Sequence, residues 1–255
     1  MNDILKIDPA DEEEKVISWI RETFAKKGFS KAVIGISGGI DSAVVGKLLV
    51  DALGKDDVYA FNLPYGEQKD IGDVVDVFQW LRCPNDLINI EEFVDSFECD
   101  GLGKSKLRLG NIMARIRMII LYDMSAKYNA LVVGTGNKTE ELLGYFTQHG
   151  DGACAMHPIA HLYKTQVRQL AEHIGVPQPI IDKAPSAGLW DGQTDEEELS
   201  YEYEQIDKLL YNMIDKNLDY EGLKKKGFKD EFIRDIQKRK KNNSFKFKLP
   251  CFIEK

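Results

Sequence analysis

With 255 residues, 43% of them hydrophobic, the chain can bury the core of one α/β domain with a helical annex, which excludes a disordered or fibrous protein. Its 34 basic residues stand against 42 acidic ones, and the net charge of -8 disfavours bulk nucleic-acid binding. No stretch approaches the roughly 20 apolar residues of a membrane span, and Met1-Asn2-Asp3 lacks the basic and apolar regions of a signal peptide, so a soluble, cytoplasmic protein with no membrane partner is expected.

Residues 8–28 read as an opening helix: Pro9 lies early, Asp11 to Glu14 fill the first turns, Val16, Ile17, Ile20 and Phe24 keep helical spacing, and Gly28 ends it. Ala32 to Ile36 is a β-branched strand, followed by a Gly/Ser turn and a helix from Asp41 or Ser42 through Leu53. The unit recurs in kind, with a strand over 58–63, a helix over 70–81 and a third strand over 87–90. A long helix spans about 109–128, and a buried strand over 130–134 leads into a loop rich in Gly, Thr and Asn. Beyond Gly150 come a helix near 165–174, a Pro-rich connection over 176–190 and two or three helices to Lys241. The alternation predicts an α/β fold, a doubly wound, mainly parallel Rossmann-like sheet with a C-terminal helical segment, and ligands at the carboxyl ends of its strands.

Smaller signals are read more plainly. Asp195 to Glu198 opens a capped, solvated helix, with Thr194 as N-cap and Glu197 completing a capping box. Cys83, Cys99, Cys154 and Cys251 make no CxxC pair, which fits a reducing compartment. Cys154 near His157 is a poor thiol-base pair because Pro158 interrupts the segment, and Cys154, His157 and His161 lack a fourth zinc ligand. Lys238 to Lys241, with Lys246 and Lys248, form the one basic cluster, read as a solvated helix end or as a tail in which Lys246 meets substrate phosphate.

The most informative segment is Gly35-Ile36-Ser37-Gly38-Gly39-Ile40-Asp41-Ser42, between a strand and a helix. Its glycines permit close backbone approach, and the N–H groups at the helix start attract an anion, so a polyphosphate fits there. The spacing matches neither GxxxxGK[ST] nor GxGxxG. No GxSxG elbow surrounds Ser37 or Ser42, so neither is a hydrolase nucleophile.

SGGIDS resembles the SGGxDS signature of the N-type ATP pyrophosphatases, of the adenine nucleotide alpha hydrolase type. Four further stretches, GNIMARIRM from Gly110, GTGNKTEELLGYFT from Gly134, LYKTQVRQLA from Leu162 and PSAGLWDGQTDEEEL from Pro185, are similar to ammonia-dependent NAD synthetases. With the phosphate loop they cover most of residues 34–207.

The resemblance implies one synthetase domain over 1–255 without a glutaminase domain, acting as a homodimer on deamido-NAD with ATP, Mg²⁺ and ammonia. In it Gly35 to Ser42 hold ATP phosphates, Leu63 borders the adenine, and Thr135, Lys164 and Ser186 contact ATP. Asp41 and Glu140 ligate Mg²⁺, as suits a hard ion held by one or two carboxylates, and Lys164 meets developing phosphate charge. Arg115 contacts the dinucleotide, with Arg117 on another side of the same helix. Thr135 and Ser186 read equally well as turn or cap hydroxyls. The long helix, through Ile112, Ile116, Ile119 and Ile120, is a candidate dimer face or a core-packing face.

The match is weaker on the acid-substrate side. Family members commonly read TKYGDGACD after GYFT, whereas this chain has Gln148 and Ala155 in place of the Lys and Asp, and Phe245-Lys246 in place of a His-Lys pair. Either Gln148 bonds the substrate with Asp151 and Lys246 compensating, or the pocket takes a different carboxylate as a related amide ligase. A tRNA-modifying ATP pyrophosphatase and a non-catalytic nucleotide-binding module are the rivals from other classes.

Overall fold

Four short strands pair into one parallel sheet in the computed structural model, which describes residues 4–68, 70–97, 105–185 and 195–247. They are β1 (Ala32–Gly35), β2 (Val58–Asn62), β3 (Asn85–Leu87) and β4 (Leu131–Val133), in the order β3-β2-β1-β4. Ile34 lies opposite Ala60 on one side and Val133 on the other. Parallel neighbours need crossover connections, and α2 (Ile40–Leu53), α3 (Ile71–Leu81) and α5 (Lys106–Tyr128) supply them. The order reverses at β1, which opens a crevice at its carboxyl end, where ligands of such sheets bind.

Alternation along the strands feeds two cores. Ala32, Ile34, Val58 and Ala60 pack with Val16, Ile20 and Phe24 of α1 (Pro9–Lys27), Val44 and Leu48 of α2, and Val167 and Leu170 of α7 (Lys164–His173). On the other face Val33, Phe61 and Leu63 meet Met113 and Ile116 of α5 and Val94 of α4 (Glu91–Asp95). A third cluster joins Leu143 of α6 (Lys138–Leu143) to Ile206, Leu209 and Leu210, buried in a later helix, and to Leu223, Ile233 and Ile236. Those later elements are α9 (Asp195–Leu199), α10 (Tyr203–Leu210), α11 (Tyr220–Lys225) and α12 (Asp230–Asn243), preceded by α8 (Gln178–Asp182). They form the C-terminal helical segment. Among the described residues no helix is long and apolar enough to cross a membrane.

The first helix forms as its sequence suggests: the Asp8 carboxylate accepts the Ala10 and Asp11 N–H groups, and Gly28 closes the helix in the left-handed conformation. The third strand differs from expectation. It covers Asn85–Leu87 rather than 87–90, and Ile90 goes instead into the core with its N–H bonded to the Pro64 carbonyl at 2.8 Å. Ile88 likewise donates its N–H to the Asn62 carbonyl at 2.9 Å, so the backbone stays bonded alongside β2 while the Ile90 side chain enters the core. Likewise α5 starts at Lys106 rather than 109, because the Ser105 hydroxyl caps the Arg108 N–H.

Gly144 ends α6 at φ 62°, and a Cβ there would lie 2.4 Å from Asn243 Cβ of α12. The Asn243 amide donates to the Leu143 carbonyl at 2.9 Å, so the two helices are clamped by backbone as well as side chain. Gly144→Ala combines backbone strain with overpacking and is expected to cost about 2 kcal/mol or more, measured as a fall in urea midpoint. An unchanged midpoint would show that α12 yields freely at this contact.

Candidate active site

The segment after β1 is a cradle built from backbone. Gly38 adopts φ 81°, and a Cβ on it would meet Val74 Cγ2 at 3.2 Å, so α3 packs directly on the loop. The Lys183 ammonium ties this wall to the residue after α8, bonding Asp73 at 2.7 Å and also Asp70. Ser42 braces the turn from inside, donating to the Gly39 carbonyl at 2.9 Å and accepting the Ser37 N–H at 3.2 Å. The serine hydroxyls are thus spent within the loop, and the N–H groups opening α2 have no partner within the helix. Together with the helix dipole they make an anion site.

Three distant parts of the chain converge beside it. Asp41, in the first turn of α2, accepts the Asn137 amide at 3.1 Å and pairs with the Lys164 ammonium. Glu140 lies 3.7 Å from the same ammonium. Asn137 and Glu140 form a reciprocal capping box at the start of α6, with bonds of 3.1 and 3.2 Å. Burial works against the Lys164 charge, but Asp41 and Glu140 outweigh it and hold the ammonium above its usual range. Glu140 is pushed up to about 8 by desolvation and by the neighbouring Asp41 charge, with Lys164 only partly offsetting them. Two convergent carboxylates with more negative charge than one lysine comfortably balances suit a hard divalent cation, which takes one or two carboxylates and completes its shell with phosphate and water.

Asp195 joins this centre, against the expectation of a solvated helix start. It is 3% exposed, accepts the Tyr203 hydroxyl at 2.9 Å and the Tyr145 hydroxyl at 3.2 Å, and burial raises its pKa. The ammonium of Lys164 lies 5.3 Å from the centre of the Tyr203 ring. Burial is possible because the Tyr203 phenol donates to the carboxylate and the nearby Lys164 charge offsets it, while the Tyr145 proton lies closer to Glu198 Oε2 at 2.6 Å. Thr194, the expected cap, and Ser186 lie outside the described residues.

Other expected nucleotide contacts line the same crevice. Leu63 follows β2, and its carbonyl accepts Arg117 Nε at 2.9 Å. Thr135 lies in the loop after β4 and is partly buried. The acid-substrate candidates gather on the loop after α6. Arg115 donates to the Gln148 carbonyl at 3.2 Å, Asp151 accepts the Thr147 N–H at 2.8 Å, and Lys246 donates to the Gly144 and Phe146 carbonyls at 2.6 and 2.7 Å. Asp151 reaches solvent yet is crowded by protein, and this desolvation raises its pKa. Of the basic cluster, Lys246 is drawn toward this loop, while Arg239 bonds the Glu198 carbonyl at 3.2 Å.

Cys154 donates to the Met156 carbonyl at 3.3 Å, and burial pushes its thiol up to about 11. His161 pairs with Glu12 on α1 at 2.5 Å. Sequence reasoning missed Asn137, Asp195, Tyr145 and Tyr203. The first carried a readable signal, the N-x-x-E spacing of a capping box at Asn137 and Glu140.

Comparison with known proteins places these features in a family. The NAD synthase family model matches residues 12–250. The "NH(3)-dependent NAD(+) synthetase" of Fusobacterium nucleatum is 42% identical over 242 residues, 94% of each chain. The solved NMN synthetase of Francisella tularensis aligns with a TM-score of 0.86 at 32% identity, covering 97% of this chain and 99% of that one. The NH3-dependent NAD synthetase of Campylobacter jejuni, solved with a nitrate ion, gives 0.81 at 32% identity over 98% and 100%.

Lys164→Met keeps the stem but removes the charge that faces the cradle. A charge-assisted contact contributes about 1.5–3 kcal/mol, so affinity for ATP, read by calorimetry, is expected to fall at least tenfold. Unaltered affinity would remove Lys164 from the nucleotide site.

Proposed function

The chain belongs to the NAD synthase family, and on that premise we propose that it amidates deamido-NAD to NAD with free ammonia, spending ATP as AMP and pyrophosphate through an acyl adenylate. One such domain accounts for residues 12–250. The observation that carries the reading is the backbone cradle of residues 35–42 set against Asp41, Glu140 and Lys164.

ATP lies with its phosphates on the N–H groups at the start of α2 and its adenine toward Leu63. Lys164 faces the phosphates, and Thr135 and Ser186 complete the contacts. Asp41 and Glu140 hold Mg²⁺, which neutralises phosphate charge when bound. The substrate carboxylate attacks the α phosphorus, pyrophosphate departs under the cradle, and ammonia then attacks the activated carbonyl and displaces AMP. The chain contributes alignment and fixed charge, and no covalent bond to a side chain is required. Arg115, Gln148, Asp151 and Lys246 frame the acid, with Gln148 and Asp151 on the loop after α6, which Arg115 of α5 holds from one side and Lys246, just beyond α12, from the other.

A second reading keeps this chemistry and shortens the acid to the deamido form of NMN. The Francisella tularensis neighbour is an NMN synthetase, and Gln148, Ala155 and Phe245 stand where charged or imidazole contacts to a dinucleotide are common in the family. Supplying ATP, Mg²⁺ and ammonium with each acid separates the two. The first reading expects AMP, pyrophosphate and NAD in equal amounts, with kcat/KM at least tenfold higher for deamido-NAD. The opposite preference selects the second, and ADP as product overturns both.

Partners and place follow the same reading. The family's homodimer suits α5, although not through the whole isoleucine face: Ile116 is in the sheet core, whereas Leu107, Ile119 and Tyr122 are 70%, 55% and 42% exposed. Free Cys83 and Cys154 suit a reducing cytoplasm. Ile119→Asp is expected to shift the sedimenting species from dimer to monomer, because a charge at the centre of an apolar contact is left unpaired. A wild-type monomer would dismiss this face.

A further inference from the structure

Behind Glu140 and Lys164 lies a fully buried carboxylate that the reaction itself does not use. Asp207, in the middle of α10, has no exposed surface. One oxygen accepts the Thr139 hydroxyl at 2.6 Å; the other accepts the Thr165 hydroxyl at 2.8 Å and the Thr165 N–H at 2.9 Å. The Thr139 oxygen in turn accepts the Lys164 N–H at 3.0 Å. Thr139 directly precedes Glu140, and Thr165 directly follows Lys164.

We propose that Asp207 is the positioning residue of this site, a carboxylate that fixes the starts of α6 and α7 so that Glu140 and Lys164 meet Asp41 at set distances. The proposal rests on the ATP-using reading above and extends it to a residue outside the reacting centre.

Three physical points support it. The N-terminal N–H groups of a helix need outside partners, and the residue before α7, Tyr163, makes no side-chain cap bond to them. Asp207 therefore caps α7 from another helix, at the turn that carries Lys164. The Thr139 hydroxyl donates to Asp207 and accepts from Lys164 N–H, so α6 and α7 share one hydrogen-bond chain and move together. Finally, a lone buried carboxylate is an expensive way to join helices whose contacts could have been apolar. It is satisfied by three donors, all of them on residues that adjoin Glu140 or Lys164. A packing role alone would not demand that coincidence.

Thr139→Val and Thr139→Ser separate positioning from packing, because valine keeps the shape and loses the hydroxyl whereas serine keeps the hydroxyl. Asp207→Asn tests the carboxylate itself, leaving the Thr139 proton without an acceptor. For each full-length variant the measurements are the urea midpoint, the Kd of Mg²⁺-ATP by calorimetry, and kcat for AMP formation, all at a temperature where the variant is folded. Asp207→Asn and Thr139→Val are expected to weaken Mg²⁺-ATP binding three- to tenfold and to lower kcat ten- to a hundredfold. Thr139→Ser should recover most of both. A lower midpoint with Kd and kcat within twofold of wild type would make Asp207 a packing residue and overturn the proposal. If wild type forms no AMP, the reaction assigned above fails, and the Kd ratios still decide the role of Asp207.

Discussion

A lysine ammonium set between two carboxylates is the constraint on which the site depends. Asp41, Glu140 and Lys164 are far apart in the chain and meet only when α2, α6 and α7 are all in place. At an effective dielectric of about 20, unit charges about 4 Å apart attract by roughly 4 kcal/mol, which is large against a total stability of about 5–15 kcal/mol. Desolvation takes back much of that gain. The triad therefore adds less to stability than to geometry, since a misplaced member would leave a buried charge unpaired.

The sheet makes this meeting possible. With β1 central and neighbours on both sides, the loop after β1 and the loop after β4 open onto one crevice. The first brings a helix start with its N–H groups and Asp41, and the second brings the capping box of Asn137 and Glu140. A pairing of Met156 beside Val133 then turns the chain back toward α7 and Lys164. The anion-attracting groups are thus largely backbone, while charge comes from side chains that the backbone delivers.

Much of this was legible in the residues. Strand-turn-helix around SGGIDS and the alternation of elements carry the sheet class, because glycine, helix-start acids and apolar periodicity are local signals. Asp195 was misread for the opposite reason. Its acidic neighbours look solvated, and the Tyr203 phenol of α10 and the Lys164 charge of α7, both from other helices, allow it to be buried. Asp207 had no local signature at all, since its partners lie 42 and 68 positions away. The third strand begins earlier than its isoleucines suggest because Asn85 and Asp86 carry no apolar signal, although Ile88 and Ile90 still bond the β2 side at the Asn62 and Pro64 carbonyls.

The clamp of α12 on the end of α6 ties the loop after α6 to the helical segment, and α10 of that same segment anchors the helix starts that carry Glu140 and Lys164, whereas the glycine loop after β1 is rooted in the sheet. Gentle warming that loosens those outer helices would therefore disturb the loop after α6 and the charged side chains beside the cradle together, while the glycine turn itself keeps its shape.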